Sequence, residues 1–277
     1  MKMKRKVKTA VLILINDGIP ALISALKGFI LNRIGSFRPD ETNIAFKALM
    51  AEENSGLMID VGAHFGKSLS SFAESGWTVF AFEPDSENRK RLKWSYGDLI
   101  NVIIDPRAVS DHAQEKVPIY KSNQSSGFSG LSSFHPSHQI AEEVDVTTLE
   151  SFFDEEGISG QDVDFLKTDT EGYDLHVLRG IPWQRVTPRL IICEFEDSKT
   201  IPLGYTFHDL AKFLLEHKYK LVVSEWFPII KYGGPHDWRR FTTYPCELED
   251  PQAWGNIMAA KEDKVYNSLL QICGICP

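Results

Sequence analysis

The chain has 277 residues, 43% of them hydrophobic, and a formal net charge of -8. That length and apolar content suit one large α/β domain with appendages and exclude a disordered chain. The acidic balance excludes a general nucleic-acid binder, which needs a basic footprint to displace counterions, and argues against a polyanionic substrate.

The stretch Met1 to Lys8 is basic, and Ala10 to Ile34 is apolar but broken by Asn16, Asp17, Gly18, Pro20 and Lys27. No small-residue cleavage site follows a clean apolar core, which disfavours a signal peptide. The same breaks disfavour a spanning helix, which needs about 20 mainly apolar residues. Residues 1–40 therefore read as a basic and apolar helical arm. Two placements stay open for it: packed on the domain or a neighbour, or lying on a membrane through residues 1–35, where lysines meet anionic lipid. Residues 41–277 form the main domain, with a core over 56–225 and an aromatic-rich insert and final strand over 226–277. An amphipathic helix is predicted over Glu41 to Glu53, its apolar face made by Ile44, Phe46, Ala48, Leu49 and Met50.

Leu57-Met58-Ile59-Asp60-Val61 is an apolar run reaching a carboxylate, followed by Gly62-Ala63-His64-Phe65-Gly66-Lys67-Ser68. It reads as a buried parallel strand, a glycine turn that lets backbone approach a ligand, and a helix start. A dinucleotide fingerprint would place glycines at 62, 64 and 67, but His64 and Lys67 stand at two of them. Asp60 points the same way. A carboxylate there would repel a pyrophosphate by about 4 kcal/mol per charge pair at 4 Å and an effective dielectric of 20, and attract a sulfonium or ammonium by as much. S-adenosylmethionine carries both cations and no phosphate. The plain alternative for Asp60 is a helix N-cap.

A second strand, Trp77 to Phe82, ends in Glu83-Pro84, about 20 residues after the glycine turn, where an acid can take both ribose hydroxyls. The bland reading of Glu83 is a solvated turn acid. Asp85 is the predicted N-cap of a helix running through Tyr96. Val102-Ile103-Ile104 is a third strand, and the turn Asp105 to Ser110 is where an adenine would lie. Residues 121–141, rich in Ser, Gly and His, show no sustained period and read as a loop or lid. His135 and His138 have ligand-like spacing but no acidic or Cys partner beside them, so solvation is the simpler reading.

Phe165-Leu166-Lys167-Thr168-Asp169-Thr170-Glu171-Gly172 repeats the pattern of a buried strand ending in acids, ahead of a helix over 174–180. Strand alternation places Lys167, Asp169 and Glu171 on one side at the carboxyl edge, provided the extended conformation persists. The plain alternative is a structural Lys167–Asp169 ion pair with Glu171 capping the helix.

Ile59-Asp60-Val61-Gly62-Ala63 with Gly66, Ala81-Phe82-Glu83-Pro84, Arg107-Ala108-Val109-Ser110, Val146-Thr147-Thr148-Leu149, and Lys167-x-Asp169-x-Glu171-Gly172 leading into Val177-Leu178-Arg179-Gly180 together resemble the FkbM family of S-adenosylmethionine-dependent methyltransferases. The resemblance spans roughly residues 56 to 196. It implies a class I methyltransferase fold: Rossmann-like, doubly wound, with a mostly parallel seven-stranded sheet whose last strand is antiparallel. It also implies O-methylation of sugar or natural-product hydroxyls. Carried over by position, it places Asp60, Gly62 and Gly66 around the methionine part of the cofactor, Glu83 on the ribose, Ala108 near adenine, and Asp169 with Glu171 facing the reaction. Ala63, His64, Ser68 and Pro84, beside these, are further cofactor-binding candidates, and Lys167 is a further catalytic candidate. His64 and Phe65 depart from the Asn and aliphatic residue expected there.

A sulfonium methyl is already electrophilic, so catalysis reduces to aligning an acceptor oxygen and removing its proton. Asp169 is the candidate base. If Mg²⁺ acidifies the hydroxyl instead, Asp169 and Glu194 are candidate ligands, with Glu196 close by at the end of the strand Arg189 to Cys193. Further on, a helix is predicted over 206–217 and strands over 219–224 and 254–259. Between them Trp226, Trp238 and Arg239 are candidates for binding a small-molecule or glycan acceptor, by ring stacking and hydrogen bonding, with buried packing as the alternative. The four cysteines make neither a disulfide framework nor a zinc site, and reduced thiols in a cytoplasmic protein are the simple reading. A nucleotide-dependent oxidoreductase or sugar-nucleotide enzyme, and a non-catalytic cofactor-binding or membrane-associated scaffold, are the competing classes.

Overall fold

The structure, a computed structural model, describes residues 38–51, 55–122, 129–158, 163–230, 234 and 236–276. The arm expected over residues 1–40, with its membrane contact, lies outside the described residues except for Arg38 to Asp40.

In chain order the described elements are α1 (Glu41–Met50), β1 (Leu57–Val61), α2 (Ser70–Glu74), β2 (Thr78–Phe82), α3 (Ser86–Tyr96), β3 (Val102–Asp105), β4 (Ala108–Val109), β5 (Gln114–Ser122), β6 (Ser129–Gly130), β7 (His138–Thr147) and α4 (Leu149–Glu156). They continue with β8 (Phe165–Thr168), α5 (Asp174–Arg179), β9 (Leu190–Glu196), α6 (Asp197–Thr200), α7 (Phe207–Glu216), β10 (Lys220–Trp226), β11 (Trp238–Thr243), β12 (Trp254–Ala260) and α8 (Asp263–Cys273).

The main sheet runs β3-β2-β1-β8-β9-β12-β10-β11. The strands from β3 to β9 are parallel, β12 pairs antiparallel with both β9 and β10, and β11 pairs antiparallel with β10. The order reverses direction beside β1, so the carboxyl ends of β1, β2 and β8 open onto the crevice where doubly wound sheets bind ligands. Seven of these strands match the expected sheet, and β11 is an eighth, on the edge. It arises where the aromatic insert was expected, because Trp238 to Thr243 supplies β-favouring residues that pair with β10.

Both faces of the sheet are covered, which is why its central strands are mainly apolar, Asp60 and Lys167 apart. On one face Ile59, Val61 and Leu166 pack with Phe152, Leu175, Leu178, Leu210 and Leu214 from α4, α5 and α7. On the other, Met58, Phe165 and Ile192 pack with Ile44, Leu49, Phe72, Leu92 and Leu269 from α1, α2, α3 and α8. Each fully buried Leu, Ile or Phe of these layers contributes roughly 1.5–3 kcal/mol of transfer free energy.

Helix starts follow the capping chemistry in the sequence. Asp85 accepts from the backbone N–H of Glu87 and Asn88, and Thr206 forms a reciprocal capping box with Asp209. Of the loop expected over 121–141, residues 123–128 lie outside the described residues, and the described part differs by carrying strand at 121–122, Ser129–Gly130 and from His138 onward. β5, β6 and β7 join β4 in a second, four-stranded sheet of order β4-β7-β5-β6. The polar sequence hid it because only Ile119, Val144 and Val146, with Ala108, form its small core.

Candidate active site

Two clefts meet above the carboxyl ends of β1 and β8. The first is lined by Phe82, Ala108, Val109, Ile119 and Leu131, with Glu83, Pro84 and Tyr173 among its polar and rim residues. The second is lined by Thr42, Ala63, Lys67, Ser68, Trp226, Trp254 and Asn256 among others. Gly62, His64 and Asp169 line both. The second sheet closes the first cleft, contributing Ile119, Ser129 and Gly130.

The junction is tight. Gly62 has φ of 77°, and a Cβ there would lie 1.9 Å from the backbone oxygen of Asp169. Only glycine allows both the left-handed conformation and this approach of the β1 turn to the β8 end. Gly66 lines neither cleft: a Cβ on it would meet the Tyr96 ring at 2.5 Å, so its part is to let α3 pack closely.

Parallel pairing sets Asp60 opposite Lys167. The Lys167 ammonium lies 3.3 Å from Asp60 Oδ1 and 3.4 Å from Asp169 Oδ2, and donates to the Gly62 carbonyl at 3.0 Å. Ser68 Oγ donates to Asp60 Oδ2 at 2.5 Å. Burial alone would lower the Lys167 pKa, but the charges of Asp60 and Asp169 reverse this and hold it above the ordinary lysine range. Asp60 is thus already matched by a cation of the chain, a correction to the reading in which it faces a ligand cation directly. The three groups together carry one net negative charge, and Asp169, its side chain 42% exposed, presents that charge to the clefts.

Glu83 is buried, with Oε2 accepting from His64 N–H at 2.6 Å and Oε1 from Asp85 N–H at 2.9 Å. Burial pushes its carboxyl up to about 7, against the pull of those two donors. Each oxygen retains a lone pair, so a ribose diol can still be accepted. The His64 ring stacks on Phe65 at 3.6 Å. Burial pushes its pKa down to about 4, so the imidazole is neutral at neutral pH.

Glu171 lines the first cleft with Asp169, but its carboxylate pairs with Lys199 rather than Lys167. Its φ of 56° ends the extended run after β8, and its carboxylate meets Lys199 Nζ at 2.6 Å. Glu196 and Glu194 approach the same ammonium at 2.7 and 3.5 Å. Burial and the neighbouring carboxylates raise the Glu194 pKa well above its ordinary value. This corrects the expected Asp169–Glu194 metal pair: Glu194 serves Lys199 and Asp169 serves Lys167. Among the described residues no group of three His, Cys, Asp or Glu is arranged to hold a metal ion.

Of the three expected acceptor residues, Trp226 lines the second cleft, its indole N–H donating to Glu41 at 2.8 Å. Trp238 and Arg239 line neither cleft. The Trp238 indole donates to Ser224 Oγ at 3.2 Å, and Arg239 pairs with Glu249 at 3.3 Å and lies over the Phe227 ring. Both serve the β10–β11 edge.

Three residues were not picked out as site residues from sequence. Trp254 lines the second cleft 5.3 Å from the Trp226 ring, brought there by β12 inserting between β9 and β10. Tyr173 lines the first cleft. Asp174, fully buried, accepts from Thr168 Oγ1 at 2.6 Å, Thr170 Oγ1 at 3.0 Å and Glu194 N–H at 3.2 Å. It fixes the turn that carries Asp169; an acid at a helix start was the sole sequence signal.

These residues fit an adenosyl sulfonium. Apolar walls suit adenine, Glu83 suits a diol, and the net negative junction suits positive charge. Fold and site together define an α/β enzyme that binds a cationic adenosyl cofactor at the switch point of a doubly wound sheet. The methyltransferase FkbM domain matches residues 60–221, more than half of the chain. The chain belongs to this family and is a methyltransferase that uses S-adenosylmethionine.

Solved structures with a similar fold include a precorrin-6y C5,15-methyltransferase from Geobacter metallireducens, 12% identical, covering 79% of this chain and 88% of that one, with a TM-score of 0.41. A TehB-like methyltransferase from Corynebacterium glutamicum is 12% identical, covering 86% and 96%, with a TM-score of 0.39. An O-methyltransferase from Bacillus cereus in complex with SAH is 11% identical, covering 86% and 89%, with a TM-score of 0.39. A comparison with the curated proteins found no match. No helix among the described residues is long and apolar enough to cross a membrane.

Proposed function

We propose that the protein methylates a hydroxyl of a sugar, glycan or glycosylated small molecule. The observation carrying this reading is the position of Asp169, a half-exposed carboxylate shared by both clefts, with Trp226, Trp254 and Asn256 lining the second. Indole faces stack on sugar rings, and an amide can satisfy hydroxyls, so this lining favours a polyhydroxylated acceptor. When bound, S-adenosylmethionine supplies an electrophilic methyl group. The chain's own residues then hold the acceptor in line, exclude water and accept a proton. Asp169 accepts the hydroxyl proton, and Lys167, 3.4 Å away, orients its carboxylate from β8. Asp174 holds the turn.

The test is transfer of labelled methyl groups from S-adenosylmethionine to a panel of free sugars, nucleotide sugars and glycosylated small molecules. Label in a methyl ether of a hydroxyl is the expected result. Label only on nitrogen, sulfur or carbon acceptors would refute the O-methylation reading.

A further inference from the structure

We propose that Lys67 binds the carboxylate of the cofactor's methionine end, which makes the second cleft the amino-acid pocket of the cofactor as well as the entrance for the acceptor. This rests on the two clefts being the S-adenosylmethionine site.

Most of the charged groups lining that cleft are already engaged within the chain. Asp40 is committed as the N-cap of α1, accepting from Asn43 N–H at 3.0 Å and Thr42 Oγ1 at 2.8 Å. Glu41 is buried and accepts from Ser224 Oγ at 2.7 Å and Trp226 Nε1 at 2.8 Å, with burial raising its pKa. Lys167 is held by Asp60, Asp169 and the Gly62 carbonyl. His64 is neutral at neutral pH. Lys67 lines the same cleft, is exposed, and its ammonium makes no hydrogen bond or ion pair among the described residues.

The turn that carries it is fixed. Gly66, with φ of 80°, donates its N–H to the Ala63 carbonyl at 2.8 Å, and Ser68, on the other side of Lys67, is tied to Asp60. The second cleft therefore offers an uncommitted cation on one side and, at the Gly62–Asp169 junction, the net negative cluster of Asp60, Asp169 and Lys167. That polarity matches a zwitterion whose ammonium lies toward the junction and whose carboxylate lies toward Lys67. Adenosyl in the first cleft and an amino acid in the second require one ligand to pass Gly62, His64 and Asp169, the three residues both clefts share.

The experiment uses two ligands that differ only at that end. S-adenosylhomocysteine keeps the amino acid; 5′-methylthioadenosine replaces it with a methyl group. Both are titrated calorimetrically into the full chain and into the Lys67→Ala and Lys67→Arg variants, with melting temperature confirming folding. Lys67→Ala is expected to weaken S-adenosylhomocysteine about tenfold, about 1.4 kcal/mol, and to leave 5′-methylthioadenosine within about twofold, with Lys67→Arg retaining most of the affinity. An unchanged affinity for S-adenosylhomocysteine, or equal weakening of both ligands, overturns the assignment. Absence of binding by the unmodified chain would instead overturn the cofactor site on which it rests.

Discussion

Lys167→Met tests how the junction is built. The ammonium it removes neutralises Asp60, which is fully buried, and steadies Asp169 at 3.4 Å. Removing one partner of a buried ion pair leaves an uncompensated charge, at a cost of about 3–5 kcal/mol. For a chain of this size each kcal/mol lowers the melting temperature by about 2–4 °C, so a fall of roughly 6–20 °C is expected. Asp60→Asn in the same background removes the stranded charge while its amide oxygen can still accept from Ser68. The double variant should therefore regain much of the loss, a coupling visible in a double-mutant cycle. The pH dependence has a definite sign. The folded-state pKa of Lys167 lies above its unfolded value, so its stabilisation is fully present below the ordinary lysine range and lost only as pH rises through the higher folded value. The assay is chemical denaturation followed by fluorescence at several pH values. A cost under about 1 kcal/mol, or no recovery in the double variant, would refute the ion-pair account.

Gly62→Ala should abolish S-adenosylhomocysteine binding in calorimetry and lower the melting temperature. Its Cβ meets the Asp169 backbone at 1.9 Å in a left-handed conformation that itself costs a side chain about 1–2 kcal/mol. Because the Glu83 carboxyl is pushed up to about 7, the native state keeps a proton that the unfolded chain has released between pH 4.5 and 7. That group therefore lowers stability as pH rises through the window. Cofactor affinity should move the other way, strengthening from pH 6 to 8 as the ionised carboxylate forms, and Glu83→Gln should flatten that titration. Asp169→Asn should cut methyl transfer about 100-fold or more, the scale of a lost general base, while S-adenosylhomocysteine still binds. With Glu194 turned to Lys199, transfer should persist in EDTA; loss of activity restored by Mg²⁺ would restore the metal reading.

The parts of the site that depend on one strand and the turn after it were legible in the sequence. Asp60, Gly62, Glu83, Pro84 and Ala108 each sit at a strand end or turn marked by a change from apolar to polar residues; Gly62, Glu83, Pro84 and Ala108 line the clefts, and Asp60 lies buried beneath them against Lys167. What depends on pairing between distant strands was not legible as geometry. That Lys167 lies opposite Asp60 follows from the β1–β8 register, 107 positions apart in the chain. Glu171 was misplaced because alternation assumes an extended chain, and its left-handed backbone breaks the period. Trp254 reaches the cleft only because β12 inserts antiparallel between β9 and β10, whereas Trp238 was taken up by an edge strand that the aromatic insert did not announce. The second sheet was hidden by its composition, since its outward positions are charged and its core is four residues deep.

Calorimetric titration with S-adenosylhomocysteine, with NAD as the comparison ligand, decides which cofactor the two clefts hold. Micromolar binding of S-adenosylhomocysteine and none of NAD is the predicted result. Binding of NAD, or no binding of S-adenosylhomocysteine by folded protein with Asp60 and Glu83 intact, would contradict the assignment of the two clefts to the methyl donor.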